Sequence, residues 1–287
     1  MSSICQCNRL LGTKTLHPLA TVVDLPAPCP NQPLTPDSHS LMLLTPAATS
    51  DRYGHRSCDF TAGTLLARLP GKPLPLSDDR GRPLKGRLLL FHRDLLSGTS
   101  LGRHISQYSF FGYGDHEALH LSTGELEAVN HVLDGIDREL RRGIDTYSAT
   151  ILAGAIELLL SYCSRYHHRQ FILRRDADAP EFRQLRQAID DYMLQGMICR
   201  CGMPCPRHFV ARTGHTEDFL SDLIRHETGK SFTGYVQLRR IELAKQMIVA
   251  RQYSDAKVSL TLGYGKAENF RQTFLRLVGI TTEAYRN

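Results

Sequence analysis

Three cysteines and a histidine lie close together in the stretch ICRCGMPCPRHF, residues 198–209. Thiolates and imidazoles are ligands that zinc prefers, so Cys199, Cys201, Cys205 and His208 are candidate metal ligands. Structural zinc sites usually combine a C-x2-4-C pair with a second pair, whereas a single residue separates Cys199 from Cys201 and no second pair follows. The stretch therefore predicts free cysteines, with zinc binding as an alternative.

A thiol switch at Cys205 is a further alternative. Cys205 lies between two prolines, next to the predicted N-terminus of a helix. The partial positive charge of a helix N-terminus stabilises a thiolate, which is the reactive form of cysteine. Oxidation of this thiol would disturb the helix that follows. The eight cysteines of the chain are otherwise scattered, which favours free thiols in a reducing compartment over a disulfide framework.

The sequence contains no set of residues with the spacing of a catalytic site. His92 and His104 lie in the N-terminal half, but a metal centre needs closely spaced histidines and a carboxylate, and no H-x-H pair occurs. The chain also lacks the glycine-rich loop that cradles phosphates. We therefore predict that the protein is not an enzyme, has no catalytic or metal site and uses no cofactor.

The positive charge of the chain is confined to its C-terminal third. Residues 1–199 contain 21 Lys+Arg and 21 Asp+Glu, whereas residues 200–287 contain 14 and 8, which accounts for the whole net charge of +6. A basic region beside a neutral one indicates a polyanionic partner, most often a nucleic acid. An ordinary solvated basic face is the alternative.

Length and composition indicate a two-domain globular protein. The chain has 287 residues, of which 41% are hydrophobic and 22% charged. No apolar run approaches the roughly 20 residues that cross a bilayer. The N-terminus lacks the basic-then-apolar order of a signal peptide. These features predict a cytoplasmic protein with no membrane partner.

The first 115 residues or so predict an all-β barrel or sandwich. Short apolar runs alternate with clusters of Pro, Gly and Asp, which is typical of strands joined by turns. The predicted strands are ATVVDL (20–25), SLMLLT (40–45), DFTAGTLLARL (59–69) and GRLLLFH (86–92).

A helical hairpin is predicted to follow. Ser122 and Glu125 match a capping box at the start of a helix. Apolar residues then recur every three or four positions, which predicts two amphipathic helices joined by residues 142–147. These helices could pack on each other or on a second subunit, which makes a homodimer a candidate assembly. The two stripes are Leu126, Val129, Leu133, Ile136, Leu140 and Ile144, and Ile151, Leu152, Ile156, Leu159, Leu160 and Cys163.

The C-terminal third contains a weak internal duplication. Each copy consists of a short helix, a turn glycine, a second helix and a terminal glycine, which is the pattern of a helix-turn-helix motif. The turn glycines Gly214 and Gly263 are 49 residues apart, and the terminal glycines Gly229 and Gly279 are 50 apart. Residues 231–250 predict one long helix between the copies. Two such motifs on one rigid helix could reach successive major grooves of DNA.

These features resemble the AraC/XylS family of bacterial transcription regulators. The similarity is carried by FLSDLIRHETGKSFTGYVQLRRIELAKQMI (219–248) and SDAKVSLTLGYGKAENFRQTFLRLVGITTEAYR (254–286). Upstream stretches also resemble the cupin-like sensor barrel of many members, so the resemblance begins at about residue 18. It implies an α+β chain with a sensor domain over 1–121, a helical hairpin over 122–173, a linker over 174–182 and a DNA-binding domain over 183–287.

The resemblance also implies which residues face DNA. Amides can read adenine bidentately and basic side chains suit phosphates, whereas carboxylates accept only from cytosine N4. Thr216 is in addition a predicted helix cap. The implied DNA-binding residues are Thr216, Glu217, Asp218, Ser221, Asp222 and Arg225 in the first motif, Arg239 and Arg240 on the connecting helix, and Lys266, Ala267, Glu268, Asn269, Arg271 and Gln272 in the second motif.

The second motif departs from the family pattern at several positions. Asp255 occupies a position that is usually apolar, and Ser259 replaces a small apolar residue. Thr282 occupies a position where proline is common, and Val278 replaces a polar residue. These departures predict a second motif that is less stable or less discriminating than the first.

The sequence thus predicts a sequence-specific DNA-binding transcription regulator. Its expected partners are promoter DNA, a small-molecule effector in the barrel, RNA polymerase and a second copy of the chain. One alternative is a cupin-type small-molecule-binding protein or metalloenzyme whose helical appendage does not bind DNA. The other is a regulator that responds to a partner protein and to no ligand.

Overall fold

A computed structural model describes residues 2–25, 34–46, 51–177, 180–250 and 253–286. The chain divides into two compact units, Met1–Ala177 and Asp178–Asn287. The first unit combines strands with helices, and the second is helical. The predicted α+β class is therefore confirmed. Within the described residues, no helix is long and apolar enough to span a membrane.

The strands of the first unit form one antiparallel sheet in the order β1-β4-β2-β3-β5. The four predicted strands are confirmed, although the third begins only at Gly63. A fifth, three-residue strand was not predicted. The strands are β1 (Ala20–Leu25), β2 (His39–Leu44), β3 (Gly63–Arg68), β4 (Gly86–Phe91) and β5 (Leu119–Leu121).

The sheet is open in the part of the chain that the structure describes. Strands β1 and β5 are its two edges and are not paired with each other. Closure into a barrel is therefore not confirmed. Every residue of β2 and β3 is buried, which explains why their apolar residues are consecutive and do not alternate with exposed polar ones.

Helices cover both faces of the sheet. One face packs against Ile4, Cys7 and Leu11 in and after the first helix. The Ser122–Glu125 capping box is confirmed at the start of the third helix. Ile144 and Ile151, which belong to the two predicted apolar stripes, are 60% and 49% exposed. The helices of this unit are α1 (Ile4–Leu10), α2 (Ser100–His104), α3 (Thr123–Leu140) and α4 (Ser148–Asp176).

The end of α4 lies where the linker was predicted to begin. Residues 174–176 belong to its last turn. The buried guanidinium of Arg174 donates to both carboxylate oxygens of Asp59, at 2.7 and 3.1 Å. Residues 178 and 179 of the predicted linker lie outside the described residues.

The second unit consists of eight helices and one 3₁₀ segment in its described part. The two helix-turn-helix motifs and the long helix between them are present as predicted. A short helix within the cysteine stretch and another at the C-terminus were not predicted. The elements are α5 (Glu181–Leu194), α6 (Met197–Cys201), the 3₁₀ segment Pro206–Phe209, α7 (Val210–Thr213), α8 (Glu217–Thr228), α9 (Phe232–Val249), α10 (Asp255–Thr261), α11 (Ala267–Val278) and α12 (Thr282–Arg286).

Candidate nucleic-acid interface

The first motif consists of α7 and α8. Its outer helix, α8, packs through apolar residues and is capped. Gly214 adopts a positive φ of 75° in the turn, which L side chains rarely adopt. The hydroxyl of Thr216 accepts a hydrogen bond from the Phe219 amide at 3.4 Å and so caps α8. Gly229 ends α8 in the left-handed conformation. The buried residues of α8 are Phe219, Leu220, Asp222, Leu223 and Ile224.

The second motif, α10 and α11, follows the same plan. Ser254 caps α10, and Gly263 forms the turn with a φ of 70°. A Cβ on Gly263 would lie only 2.9 Å from the Ile198 side chain of α6, so this turn requires glycine for space as well. Phe270 and Phe274 of α11 are fully buried. Lys266 occupies the N-cap position of α11, but its side chain makes no capping hydrogen bond.

Two predicted DNA-binding arginines on α9 are instead buried and engaged within the protein. The guanidinium of Arg239 donates to both carboxylate oxygens of Asp190 on α5, at 2.7 and 3.0 Å. Arg240 donates from Nε to the Leu262 carbonyl oxygen at 2.9 Å, and its guanidinium lies 3.9 Å from the centre of the Tyr264 ring. These arginines fasten α9 to its neighbours and offer little surface to a phosphate.

The pKa values of these two arginines shift in opposite directions. The hydrogen bonds that Arg239 donates to Asp190 raise the pKa of Arg239, because the carboxylate stabilises the charged form. Burial lowers the pKa of Arg240, whose partners are the Leu262 carbonyl oxygen, the Gln237 side-chain oxygen and the Tyr264 ring. Burial likewise raises the pKa of the Tyr264 hydroxyl. The sequence signal that was missed is that both arginines lie among the apolar positions of α9.

The other predicted residues differ in how far they reach solvent. Asp222 is buried, 3.5 Å from the exposed Arg225 guanidinium. Ser221 is half-buried, and its hydroxyl donates to the Glu217 carbonyl oxygen. Thr216 and Ala267 are also half-buried. The exposed members of the predicted set are Glu217, Asp218, Arg225, Lys266, Glu268, Asn269, Arg271 and Gln272.

Glu268 organises the exposed face of α11. Its carboxylate accepts from the Gln272 amide at 3.3 Å and from Nη1 of Arg271 at 3.4 Å. Asn269 projects from the same turn and is exposed. This face therefore presents two amides and a guanidinium, which are groups that can contact base edges and phosphates.

Asp255, a departure from the family pattern, is the centre of a buried polar cluster. Its Oδ2 accepts from Arg271 Nε at 2.9 Å and from the Thr282 hydroxyl at 2.8 Å, and its Oδ1 accepts from Arg286 Nη2 at 2.8 Å. Burial alone would raise the pKa of this carboxyl, but the three hydrogen bonds outweigh burial and lower it. Two departures, Asp255 and Thr282, thus satisfy each other. Because Asp255 and Thr282 are 27 residues apart in the sequence, only a structure could show that they pair.

The candidate metal ligands of the cysteine stretch are not assembled into one cluster in the described part of the chain. Cys199, Cys201 and Cys205 are exposed free thiols. Their sulfur atoms and the His208 nitrogens do not converge as a set of three metal ligands. Cys199 instead donates to the Leu260 carbonyl oxygen, and Cys205 Sγ lies 3.2 Å from His208 Nδ1. The thiol-switch hypothesis at Cys205 stays a prediction.

His92 and His104 are each engaged locally. His92 Nδ1 accepts from the Asp94 amide at 3.2 Å and caps the 3₁₀ segment Arg93–Leu96. His104 Nδ1 lies 3.0 Å from the Ser100 carbonyl oxygen in α2. These two histidines therefore serve as local structural residues.

Comparisons with known proteins identify the C-terminal region. Residues 209–287 match the family model described as a helix-turn-helix domain, a range that includes α7 to α12. No curated protein sequence matches the chain. Among solved structures, the chain is similar to an apo ToxT variant from Vibrio cholerae, with 11% sequence identity over 93% of this chain and 96% of that chain and a TM-score of 0.31.

Proposed function

We propose that this chain is a DNA-binding transcription regulator of the AraC/XylS type in which α8 and α11 read a promoter sequence. Its residues 209–287 match a helix-turn-helix domain, which supports the proposal. The observation that carries the proposal is the pair of matched motifs, each with an exposed polar outer helix. Such helices lie in the major groove in other helix-turn-helix proteins. The proposed activity is regulation, with no enzymatic step.

We assign the base contacts chiefly to α11. The amides of Asn269 and Gln272 have the donor and acceptor that pair with adenine N7 and N6. Lys266 and Arg271 are exposed and suit phosphates, which position a protein on DNA without reading sequence. Arg239 and Arg240 are left out of the proposed contacts because both are buried.

The proposed contribution of α8 is more restricted. Arg225 has a side chain that is 66% exposed and can donate to a base or a phosphate. Glu217 and Asp218 are exposed in the first turn of α8. Their negative charges interact favourably with the positive end of the helix dipole but repel phosphates. Their only direct base contact would be with cytosine N4. The Ser221 hydroxyl already donates to a carbonyl within α8, so it would act as an acceptor.

Selection of bound duplexes from a random pool by the full-length chain tests the proposal. We expect enrichment of one sequence, with affinity that falls steeply as salt rises because bound phosphates release counterions. An Asn269→Ala variant should relax the preference at one base pair, by a factor of about ten or more. Arg138→Gln on α3, an exposed arginine of the other unit, is the control and should change neither affinity nor preference.

Two outcomes would contradict this function. One is the absence of DNA binding by the wild-type chain at low salt. The other is binding of every duplex with equal affinity, which would indicate a non-specific basic surface. A change in affinity or base preference in Arg138→Gln as large as that in Asn269→Ala would place the interface elsewhere.

We propose that the first unit senses an effector at Tyr53, which is buried in the same apolar cluster as Ile4 and Leu11. The Tyr53 hydroxyl and His55 Nε2 are buried and have no hydrogen-bond partner in the described residues. A buried polar atom without a partner is costly, so a ligand that supplied one would bind favourably. The test measures the unfolding temperature of the full-length chain with each member of a library of polar metabolites. We expect a compound that raises this temperature more in the wild-type chain than in a Tyr53→Phe variant. The absence of any such compound would contradict the proposed site.

We propose a homodimer formed through the helical hairpin. Ile144, Tyr147, Ile151 and Leu158 are exposed apolar residues at the start of α4 and before it, with 48–70% of each residue accessible. Sedimentation of the full-length chain should show a dimer that Ile151→Glu dissociates; a monomer at micromolar concentration would contradict this. Cytoplasmic localisation and contact with RNA polymerase are further proposals that rest on the regulatory function.

A further inference from the structure

Asp255 gathers side chains from two other helices around one buried carboxylate. The residue is 6% exposed and lies in the first turn of α10. Both of its oxygens accept hydrogen bonds, from Arg271 on α11 and from Thr282 and Arg286 on α12. Arg286 alone would supply a positive charge to balance the carboxylate. The additional engagement of Arg271 therefore needs its own explanation.

Arg271 is anchored at one end and open at the other. Its Nε is bound to Asp255, while its side chain is 46% exposed. The remaining contacts are weak, because Nη1 lies 3.4 Å from Glu268 and Nε lies 3.9 Å from Glu283, and both carboxylates are 64% exposed. Among the described residues, Nη2 of Arg271 donates to no protein acceptor. The outer edge of this guanidinium, formed by Nη1 and Nη2, thus remains available to an external anion.

Anchoring at Nε sets the plane in which the guanidinium lies. A free arginine must lose side-chain freedom when it grips an anion, and this loss opposes binding. A guanidinium held by a carboxylate has already lost that freedom on folding. Its planar fork can then donate two parallel hydrogen bonds to a phosphate.

We propose that Asp255 is a positioning residue that orients Arg271 to grip a phosphate of the DNA bound at α11. The inference rests on the proposed function and specifies how one backbone contact of the second motif is made. The phosphate replaces the exposed Glu268 as the partner of the outer N–H groups. The buried contact with Asp255 stays in place.

A double-variant cycle in the full-length chain tests the proposal. Affinity is measured at several salt concentrations for the duplex recovered from the random-pool selection. Arg271→Gln should weaken binding about tenfold and reduce the salt slope by about one phosphate contact. Asp255→Asn should weaken binding by about threefold to tenfold, because the guanidinium keeps its charge but loses its orientation. The variant with both changes should bind as Arg271→Gln does.

Two further variants separate positioning from folding. Thr282→Val removes a hydrogen bond to Asp255 but leaves Arg271 in place, so it should lower the unfolding temperature with no change in the salt slope. If Asp255→Asn does not fold, Arg271→Lys takes its place. A lysine keeps the charge but cannot be held at Nε while donating a fork, so affinity should fall by about threefold or more.

The proposal is overturned if Asp255→Asn weakens binding equally with and without Arg271, since Asp255 would then act through the fold alone. It is also overturned if Arg271→Gln binds with wild-type affinity and salt slope. Either result leaves the proposed function intact as long as the wild-type chain selects a DNA sequence. Failure of the wild-type chain to bind DNA would count against the proposed function.

Discussion

The two helix-turn-helix motifs share one backbone plan but are held by different chemistry. The offsets of 49 and 50 residues between their glycines align Pro206 with Asp255, and Thr216 with Lys266. The 3₁₀ segment that leads into the first motif begins with Pro206, an apolar and rigid residue, and the outer helix of this motif has a side-chain cap. The second begins with a buried carboxylate that accepts three hydrogen bonds, and its outer helix lacks a side-chain cap.

The different contacts of the second motif show how it can accommodate Asp255 and Thr282, which depart from the family pattern. A carboxylate at a position that is usually apolar would be destabilising if left unpaired. Here Thr282, Arg271 and Arg286 supply its partners. The expectation that the departures weaken the second motif was drawn from single positions. Their mutual contact argues instead that the polar cluster replaces an apolar contact.

The largest expected effect comes from the matched core positions Ile224 and Phe274. Both are fully buried, one in each outer helix. We expect Ile224→Ala to lower the free energy of unfolding by about 2–5 kcal/mol and Phe274→Ala by about 3–5 kcal/mol, because each leaves a cavity. Urea unfolding of the full-length chain measures both changes.

Leu275→Ala is the control for this pair. Leu275 is next to Phe274 on α11 but is 47% exposed, so its truncation should change the free energy of unfolding by about 0.5 kcal/mol or less. If Phe274→Ala cost no more than this control, the polar cluster around Asp255 would be sufficient to hold the second motif. The two motifs would then differ more than the shared backbone plan suggests.

A smaller effect is expected from Arg240→Met, which tests how α9 is joined to the second motif. The variant leaves the Leu262 carbonyl without its donor and removes the contact with Tyr264. We expect the free energy of unfolding to fall by about 1–3 kcal/mol. The salt slope of DNA binding should not change, since a buried arginine releases no counterion.

Arg239→Met is the matched variant on the side of the first motif. It leaves Asp190 without its bidentate partner and should also destabilise the fold with an unchanged salt slope. A decrease of about one in the salt slope for either variant would instead show a phosphate contact. That result would restore the role that the family resemblance implies for these arginines.

These arginines also mark the limit of prediction from the sequence. The strands β1, β2 and β4 were predicted almost to the residue, because apolar runs bounded by turn residues are a local signal. Thr216 and the turn glycines were predicted for the same reason. Long-range pairing is not local: β5 has only three residues, and the partner of Asp255 lies 27 residues away at Thr282.

The candidate interface was predicted less completely than the fold. The position of a residue on a helix indicates its face, but it does not say whether a long side chain folds inward. Arg239 and Arg240 bury their guanidinium groups against Asp190 and Tyr264, both of which come from other elements. Asp222 is also buried, although it lies on an outer helix. By contrast, Asn269 and Gln272 have short side chains that stay on the predicted face.

The smallest expected effect, and the sharpest separation of stability from binding, comes from Lys266→Ser. The backbone at Lys266 is extended, with φ −102° and ψ 143°, which suits an N-cap residue. A serine there can accept from an amide of the first turn of α11, as Thr216 does for α8. We expect the free energy of unfolding to rise by about 0.5–1 kcal/mol, while DNA affinity falls and the salt slope drops by about one.

Lys266→Ala is the control, because it removes the same charge without adding a cap. This variant should bind DNA as Lys266→Ser does but gain no stability. If the serine variant were no more stable than the alanine variant, the missing cap would not distinguish the two motifs. If both variants bound DNA with the wild-type salt slope, Lys266 would not contact a phosphate, and its place at the start of α11 would leave Arg271 as the principal backbone contact of that helix.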